Sequence, residues 1–399
     1  MKFSEAQLDD LRQRYPVDAE ARKHVALRAV RQGKFPFSGP CPIHSKDPQA
    51  RDSTSFACDA EVWVCTTCGG GDIFELVGRL NGLKPRERGG ADFVKAVELV
   101  GGVRELSAEE QRALDDKRAA DRLSGESERN TYRDAERGRA WDIYYKYSLR
   151  LHAPEAQPAR DYLRAARGLD FPPNVWLRFQ PAMRFFVPDK PKYREIHEGP
   201  ALTLQLQRGG DFVGVHITWF DLARPKGKPL IVDPKDGDTL RNKKMRGTKA
   251  GAYGDLTGWV KEPETLVMGE GLEKVLAVWT ALNAAGRDLS RTGFWSACDL
   301  GNLGGPAADS VPHPTLKTPT GLRKRVAGIV PDRDKPSIEI PDSVTRLVLI
   351  GDSTSDPFQT QCAIARAAAR YARPGREVVC AWSPEGQDFD DLLREASNG

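Results

Sequence analysis

The strongest constraint on how this chain folds is a repeated ligand pair: Cys41-Pro-Ile-His44, then Cys65-Thr-Thr-Cys68, with twenty residues between His44 and Cys65. A two-residue gap lets both side chains of a pair grip one ion from a single turn, and zinc takes four nitrogen or sulfur ligands tetrahedrally. Two such pairs at this spacing predict a β-rich zinc ribbon, in which "STSF" and "EVWVC" supply strands that set the pairs face to face. Cys58 could replace one ligand, but it has no partner at that gap and reads better as a buried or half-exposed thiol. The chain holds seven cysteines, an odd number, with four of them crowded between positions 41 and 68. That distribution argues against a disulfide scaffold and for metal binding. Removal of the ion is expected to unfold the module, because metal binding here is folding energy.

Helix signals flank the ribbon. "SEAQLDDLRQRY" carries a Ser cap and an early Glu, and residues 5–33 read as two short helices. In "CGGGDIFELVGRLNG" the glycines free the chain to turn, Asp72 caps, and Ile73, Leu76, Val77 and Leu80 mark an apolar face closed by Gly82. Residues 104–140 are densely charged with few large apolar side chains, which predicts an exposed helix or tether between domains.

Apolar and aromatic content returns at "WDIYYKYSLRL". "ALTLQLQ" and "FVGVHITWFDL" alternate apolar and polar residues, as half-buried antiparallel strands do. From about 264 the pattern becomes strand–loop–helix. "TLVMGEG" precedes "LEKVLAVWTALNAAG", "TRLVLIGDSTSDP" precedes "QTQCAIARAAARYA", and "REVVCAW" precedes "DFDDLLREA". Such repeats predict a parallel sheet whose ligand site lies at the carboxyl ends of its strands. Acidic residues occupy those ends: Glu270, then Asp352 and Asp356, then Asp388, Asp390 and Asp391. Carboxylates converging on one edge suit Mg²⁺ or Mn²⁺, which bridge phosphates in nucleotidyl transfer. Singly, each has a plainer reading: Glu270 and Asp391 as helix caps, Asp356 as a turn residue.

Together these motifs resemble a family. The Cys41/His44/Cys65/Cys68 pattern with "SF" between the pairs and "CGGGDIF" after them is similar to the zinc ribbon of bacterial and phage DnaG-type primases. "ARDYLRAARGLDF" resembles the element opening their polymerase domain. "VMGEG", "LIGDSTSDP" and "QDFDDLL" resemble the three acidic motifs of the Toprim fold. The resemblance spans roughly 35–90 and 140–395, and is nearer to compact primases of phages and integrated elements than to the cellular enzyme. It implies primer synthesis on single-stranded DNA from nucleoside triphosphates. Glu270 would be metal ligand or general base, with Asp352, Asp356, Asp388 and Asp391 as further magnesium ligands and the ribbon on the template. One departure stands out: the second motif is Asp-x-Asp in the family, and Thr354 occupies its second position here.

"RNKKMRGTKAGAYG" gathers Arg241, Lys243, Lys244, Arg246 and Lys249 just before the Glu270 strand. Clustered cations supply the salt-dependent part of nucleic-acid binding, so Lys243, Lys244, Arg246 and Lys249, with Arg167, are the expected nucleic-acid or nucleotide contacts. Trp219, Tyr253 and Trp259 read as core before they read as base-stacking groups. The net charge is only +4, so any polyanion contact must be local. No G-x-x-x-x-G-K-[ST] occurs, so a replicative helicase is expected as a separate chain. With 39% apolar residues, no long apolar run and no apolar stretch after Met1, a cytoplasmic location without a membrane partner is expected.

The expected architecture is a multi-domain α/β chain. A zinc ribbon with flanking helices occupies 1–100, a charged helical linker 101–140, an α+β subdomain 141–260, and a Toprim α/β subdomain with a parallel sheet 261–399. The expected activity is that of a DNA primase. The alternatives are a non-catalytic or weakly active DNA-binding replication protein of a phage or mobile element, favoured by Thr354, and a Toprim nuclease.

Overall fold

A computed structural model describes residues 3–30, 35–50, 52–85, 90–103, 105–189, 192–318, 321–351, 356–387 and 389–398, with side chains described up to 394. Asp352, Thr354 and Asp388 lie outside the described residues. The chain divides into two units, Met1–Glu128 and Arg129–Gly399.

The first unit opens with helix α1, Glu5–Arg14. Ser4 accepts from the Gln7 amide while the Gln7 side chain returns to the Ser4 amide, a reciprocal cap that satisfies two orphan donors. The second helix, α2, is a single turn and a half, Val17–Ala21. The stretch after it, read as helical from sequence, instead reaches strand β1 at Arg28–Ala29. Strands β2 (Phe37–Gly39), β3 (Phe56–Cys58), β4 (Trp63–Cys65) and β5 (Gly69–Gly71) complete an antiparallel sheet in sequential order. Trp63, fully buried, stacks on Phe56 at 5.7 Å and donates from Nε1 to the Asp72 carbonyl, 3.2 Å away. Helix α3, Ile73–Leu80, starts where Asp72 Oδ1 accepts from the Phe74 and Glu75 amides at 3.1 and 3.2 Å. Gly82, just past its end, adopts φ +74°, a conformation glycine takes without steric penalty. Helix α4, Ala91–Val100, packs on α3 through Phe93 against Phe74. Its apolar period in "ADFVKAVELV" is visible in the sequence but sits beside charged and glycine-rich neighbours that hide it.

The charged segment forms one long helix, α5, Ala108–Trp141, exposed or half-buried along its length except at Ala140, which is buried. In the second unit it leads through a π-helical turn, Asp142–Lys146, to β6, Leu149–Arg150. Helix α6, Gln157–Asp161, continues as a second π-helical turn, Tyr162–Ala166. Long strands β7 (Leu177–Asp189), β8 (Lys192–Arg208) and β9 (Asp211–Trp219) follow. The small pair β10 (Ile231–Val232) and β11 (Thr239–Leu240) precedes β12, Lys243–Gly247. These make an antiparallel sheet of order β12-β9-β8-β7-β6 beside the β10-β11 pair. Lys243–Gly247 of the basic stretch is therefore an edge strand.

The remaining strands are β13 (Gly254–Asp255), β14 (Thr265–Gly269) and β15 (Thr292–Ser296), with helix α7, Leu272–Ala284, between the last two. Helix α8 (Leu300–Gly304), the hairpin β16 (Ser310–Lys317) and β17 (Arg323–Ala327), strand β18 (Arg346–Gly351), helix α9 (Pro357–Tyr371), strand β19 (Glu377–Trp382) and helix α10 (Phe389–Asn398) complete the chain. The second sheet has the order β13-β15-β14-β18-β19, with β15, β14, β18 and β19 mutually parallel and β13 antiparallel at one edge. The expectation of a mixed α/β chain with a partly parallel sheet holds. One face of the β8 sheet, with Leu202 and Leu204, shares a core with Leu272, Val275 and Leu276 of α7 and Val267 of β14. That shared core ties the two sheets together. Among the described residues, no helix is long and apolar enough to cross a membrane.

Candidate functional site

In the first unit, Cys41 follows β2, Cys65 closes β4 and Cys68 opens onto β5, so the antiparallel register carries the two ligand pairs to the same end of the sheet. The ligand atoms of Cys41, His44, Cys65 and Cys68 all lie within 4.8 Å of one another. Cys41 Sγ is 3.9 Å from Cys68 Sγ, and His44 Nδ1 is 3.1 Å from Cys68 Sγ and 3.8 Å from Cys65 Sγ. A tetrahedral zinc with sulfur at ~2.3 Å and nitrogen at ~2.0 Å sets its ligand atoms roughly 3.5–3.8 Å apart, so the cluster fits that ion. The Thr67 and Cys68 amides each donate to Cys65 Sγ at 3.4 Å, which stabilises it as a thiolate. Arg79, held by Glu75 at 2.7 Å, donates to the Cys68 carbonyl at 2.7 Å and braces the second knuckle from α3. Cys58 is buried in β3, and burial pushes its thiol up to about 12, so it is inert packing.

In the second unit the candidate site is the carboxyl edge of the parallel sheet. Glu270 directly follows β14, Asp299 follows β15, the segment after β18 leads to Asp356, and Asp390 and Asp391 follow β19. Because β14, β15, β18 and β19 run parallel, all these residues leave the sheet at the same end. No sequence signal marks Asp299, in "SACDLGN", as a site residue. Its strand is short and the "SAC" ahead of it masks the acidic turn.

The carboxylates differ in how they are held. Glu270 pairs with Lys274 at 3.0 Å, one turn along α7, while Gly271 occupies the cap position; Glu270 is not the cap. Asp356 caps α9, accepting from the Gln359 amide at 2.9 Å, and also pairs with His313 Nε2 at 2.9 Å. Desolvation works to raise its pKa, but these hydrogen bonds outweigh it and hold the carboxyl down at about 2. Asp390 is buried and takes Arg167 Nη1 at 2.9 Å; Asp391 takes Lys226 Nζ at 2.6 Å and also Arg394. Asp356 and Asp391, expected among the metal ligands, are thus spent on a helix end and on cations. Among the described residues, the Cys/His cluster is the one group of three or more such side chains close enough to share an ion. Of the described carboxylates expected as magnesium ligands, Glu270 is held by a lysine one turn along α7, Lys274, whose side chain is 16% exposed.

Behind Glu270 lies a network that no sequence motif marks. Glu273, 4% exposed, accepts from Lys243 Nζ at 2.6 Å and from Tyr162 Oη at 3.2 Å, with Arg167 Nη2 at 3.6 Å. Burial raises the carboxyl's pKa, but Lys243 and Arg167 overcome that and hold Glu273 well below the usual range. Arg167 bridges Glu273 and Asp390, linking the start of α7 to α10. Two non-glycine residues of this neighbourhood have positive φ: Lys226 at +55° and Cys298 at +66°. Lys226 carries the cation on Asp391, and Cys298 precedes Asp299. Backbone strain of this kind persists where surrounding contacts over-determine it, which is common at functional sites.

The basic strand divides its charges by β alternation. Lys243 lies opposite Thr218 and on the same face as His216, toward α7, where it meets Glu273; Lys249, beyond the strand, pairs with Asp299. Lys244 and Arg246 fall on the opposite face. There Lys244 donates to the Phe186 carbonyl and stands 3.8 Å over the Phe185 ring, and Arg246 pairs with Glu136 at 3.4 Å. So Lys243, Lys249 and Arg167 reach the acidic edge, while Lys244 and Arg246 do not. Trp219 is buried and Tyr253 stacks on Trp295 at 3.7 Å, both core roles; Trp259 is exposed.

Residues 144–254 match a family described as Domain of unknown function (DUF7146). No curated protein matches the sequence. The fold is similar to a DNA primase domain from Pseudomonas aeruginosa, at 13% identity over 65% of this chain and 73% of that one, TM-score 0.36. It is also similar to a DnaG primase catalytic domain bound to ssDNA (15% identity, 66% and 78% coverage, TM-score 0.38) and to the E. coli primase catalytic core (15%, 66% and 76%, TM-score 0.35).

Proposed function

We propose that this chain is a DNA primase that makes short RNA primers on single-stranded DNA. The observation carrying the reading is the exit of Glu270, Asp299 and the β18 and β19 loops from one edge of a parallel sheet, with Lys243 and Lys249 brought to that edge from the neighbouring sheet. Carboxylates and cations interleaved at a strand edge suit a triphosphate and its divalent ion. The order of sequence motifs, ribbon first and acidic loops last, supports the same reading. In it Glu270 and Asp352 hold Mg²⁺ or Mn²⁺, and the ion, when bound, neutralises charge on the phosphate oxygens. Lys243, Lys249 and Arg167 face the incoming triphosphate, and the ribbon contacts the template. Glu273 fixes Lys243 in place.

The test is primer synthesis on a single-stranded template with labelled ribonucleotides and Mg²⁺ or Mn²⁺. Wild type should yield short oligomers and Glu270→Gln none; unchanged product from the variant would remove Glu270 from the site. One observation favours a second reading, a DNA-binding replication protein with little or no synthesis. Asp356, the carboxylate that follows Thr354, is occupied as a helix cap and by His313. Template binding without oligomers would select that reading, and template cleavage a nuclease.

A further inference from the structure

We infer that the hairpin β16–β17 is a single-stranded DNA-binding arm, guiding the strand beside the carboxyl edge. Its sequence, "SVPHPTLKTPTGLRKRVA" at 310–327, holds Lys317, Arg323, Lys324 and Arg325 and no acidic residue. Among the described residues, none of these four cations makes an ion pair, in contrast to Lys243, Arg246 and Lys249. Cross-strand register puts Lys317 directly opposite Arg323. Alternation along β17 sets Arg325 on the same face as Arg323, while Val326 turns the other way and is buried. Like charges directly opposed across a ladder destabilise it, so this face carries repulsion that an anion would relieve. Arg325 spends part of its guanidinium on Ser310, donating from Nε to Oγ at 2.9 Å and from Nη2 to the carbonyl; these bonds fix its direction without neutralising it.

The arm is anchored at its base. His313 is buried, pairs with Asp356 at the start of α9 and packs edge-on against Phe358 at 5.2 Å, and Arg366 of α9 donates to the Gly328 carbonyl. Helix α9 follows the β18 exit, so the arm is tied to the same edge that carries Glu270. Leu322 is 71% exposed and Leu316 39%, set among the cations near the turn. Apolar atoms there match the faces of unstacked bases, which a single strand presents and a duplex hides. This assignment rests on the nucleic-acid reading above and adds the surface that the internally paired basic strand does not supply.

The test is fluorescence anisotropy of a labelled oligo-dT strand with the full chain, without nucleotides or divalent ions, at salt from about 50 to 200 mM. The triple variant Lys317→Ala/Arg323→Ala/Arg325→Ala should bind at least about tenfold more weakly, with the log–log salt slope shallower by about 2, since each single-strand phosphate contact contributes ~0.7. The charge-keeping triple Lys317→Arg/Arg323→Lys/Arg325→Lys should bind like wild type, and Leu322→Ala should weaken binding with the slope unchanged. Wild-type affinity and slope in the alanine triple, absence of binding by wild type, or tighter binding of a duplex of equal length would each overturn the inference. Because binding is read without synthesis, its failure leaves the Glu270 test standing, and loss of synthesis leaves this one standing.

Discussion

Lys243 Nζ lies 2.6 Å from Glu273 Oε2, joining the edge strand of the antiparallel sheet to the first turn of α7 in the parallel one. Glu273 is buried, whereas the Lys243 side chain is 36% exposed. The pair therefore couples the two sheets and holds a half-exposed cation beside the carboxyl edge of the parallel sheet.

Glu273→Gln should destabilise the second unit. Removing one partner of a fully buried ion pair costs about 3–5 kcal/mol, and because the 36% exposed Lys243 can turn toward water a smaller loss, about 2–3 kcal/mol, is expected. Urea midpoints for the single variant, Lys243→Met and the double variant give the coupling energy. A coupling near zero would show that Arg167 and Tyr162 hold Glu273 by themselves.

Zinc analysis should find one ion per chain, released by a strong chelator with loss of the buried environment of Trp63. Cys65→Ser should abolish binding and unfold the first unit, since structural zinc is folding energy. Cys58→Ser should keep the metal. Retention of zinc by Cys65→Ser would remove it from the ligand set.

Asp72 has two tasks: its Oδ1 caps α3 and its Oδ2 accepts from Arg12 at 2.9 Å. A lost cap costs about 1 kcal/mol and a half-buried ion pair somewhat less, so Asp72→Ala should lower stability by about 1.5–2 kcal/mol. Asp72→Asn, which retains the cap, should recover most of that in thermal or urea melts. Equal losses in the two variants would place the whole effect on the Arg12 pair.

His216 is 4% exposed, and burial, aided by the nearby Lys243 charge, lowers its pKa to about 4. A histidine held neutral in the folded state binds fewer protons than in the unfolded one between about pH 4 and 6.5. Its contribution is therefore complete above pH 6.5 and is lost as pH falls toward 4, about 3 kcal/mol in all. Asp255, raised by burial to about 6, works in the opposite direction over the same window. The difference between wild type and His216→Gln isolates the histidine: it should widen from pH 4 to 6.5 and then level. A flat difference would mean the ring titrates normally.

The ribbon and the order of acidic loops were legible in the sequence because both are local. Two-residue ligand gaps, a capping Asp before an apolar period, and short apolar strands ending in Asp or Glu leave their pattern within a dozen residues. The fates of the individual charges were not legible. Lys243 and Lys244 are neighbours in a single basic run, yet β alternation sends one to Glu273 and the other to the Phe186 carbonyl. Asp356 looks like a site carboxylate until α9 begins on it. The hairpin's cations gain meaning once Lys243, Arg246 and Lys249 of the basic run are seen to be ion-paired within the chain.

Sequence by itself determined most of the element types, the four zinc-ligand candidates and the acidic character of one sheet edge, since each depends on residue type and spacing along the chain. Which charges meet, which are left to face solvent, and which carboxylates remain available to an ion were decided by the tertiary structure alone. Those outcomes depend on distances between segments from 30 to 223 residues apart, set by strand register and by the core shared between the two sheets, and no local pattern encodes them.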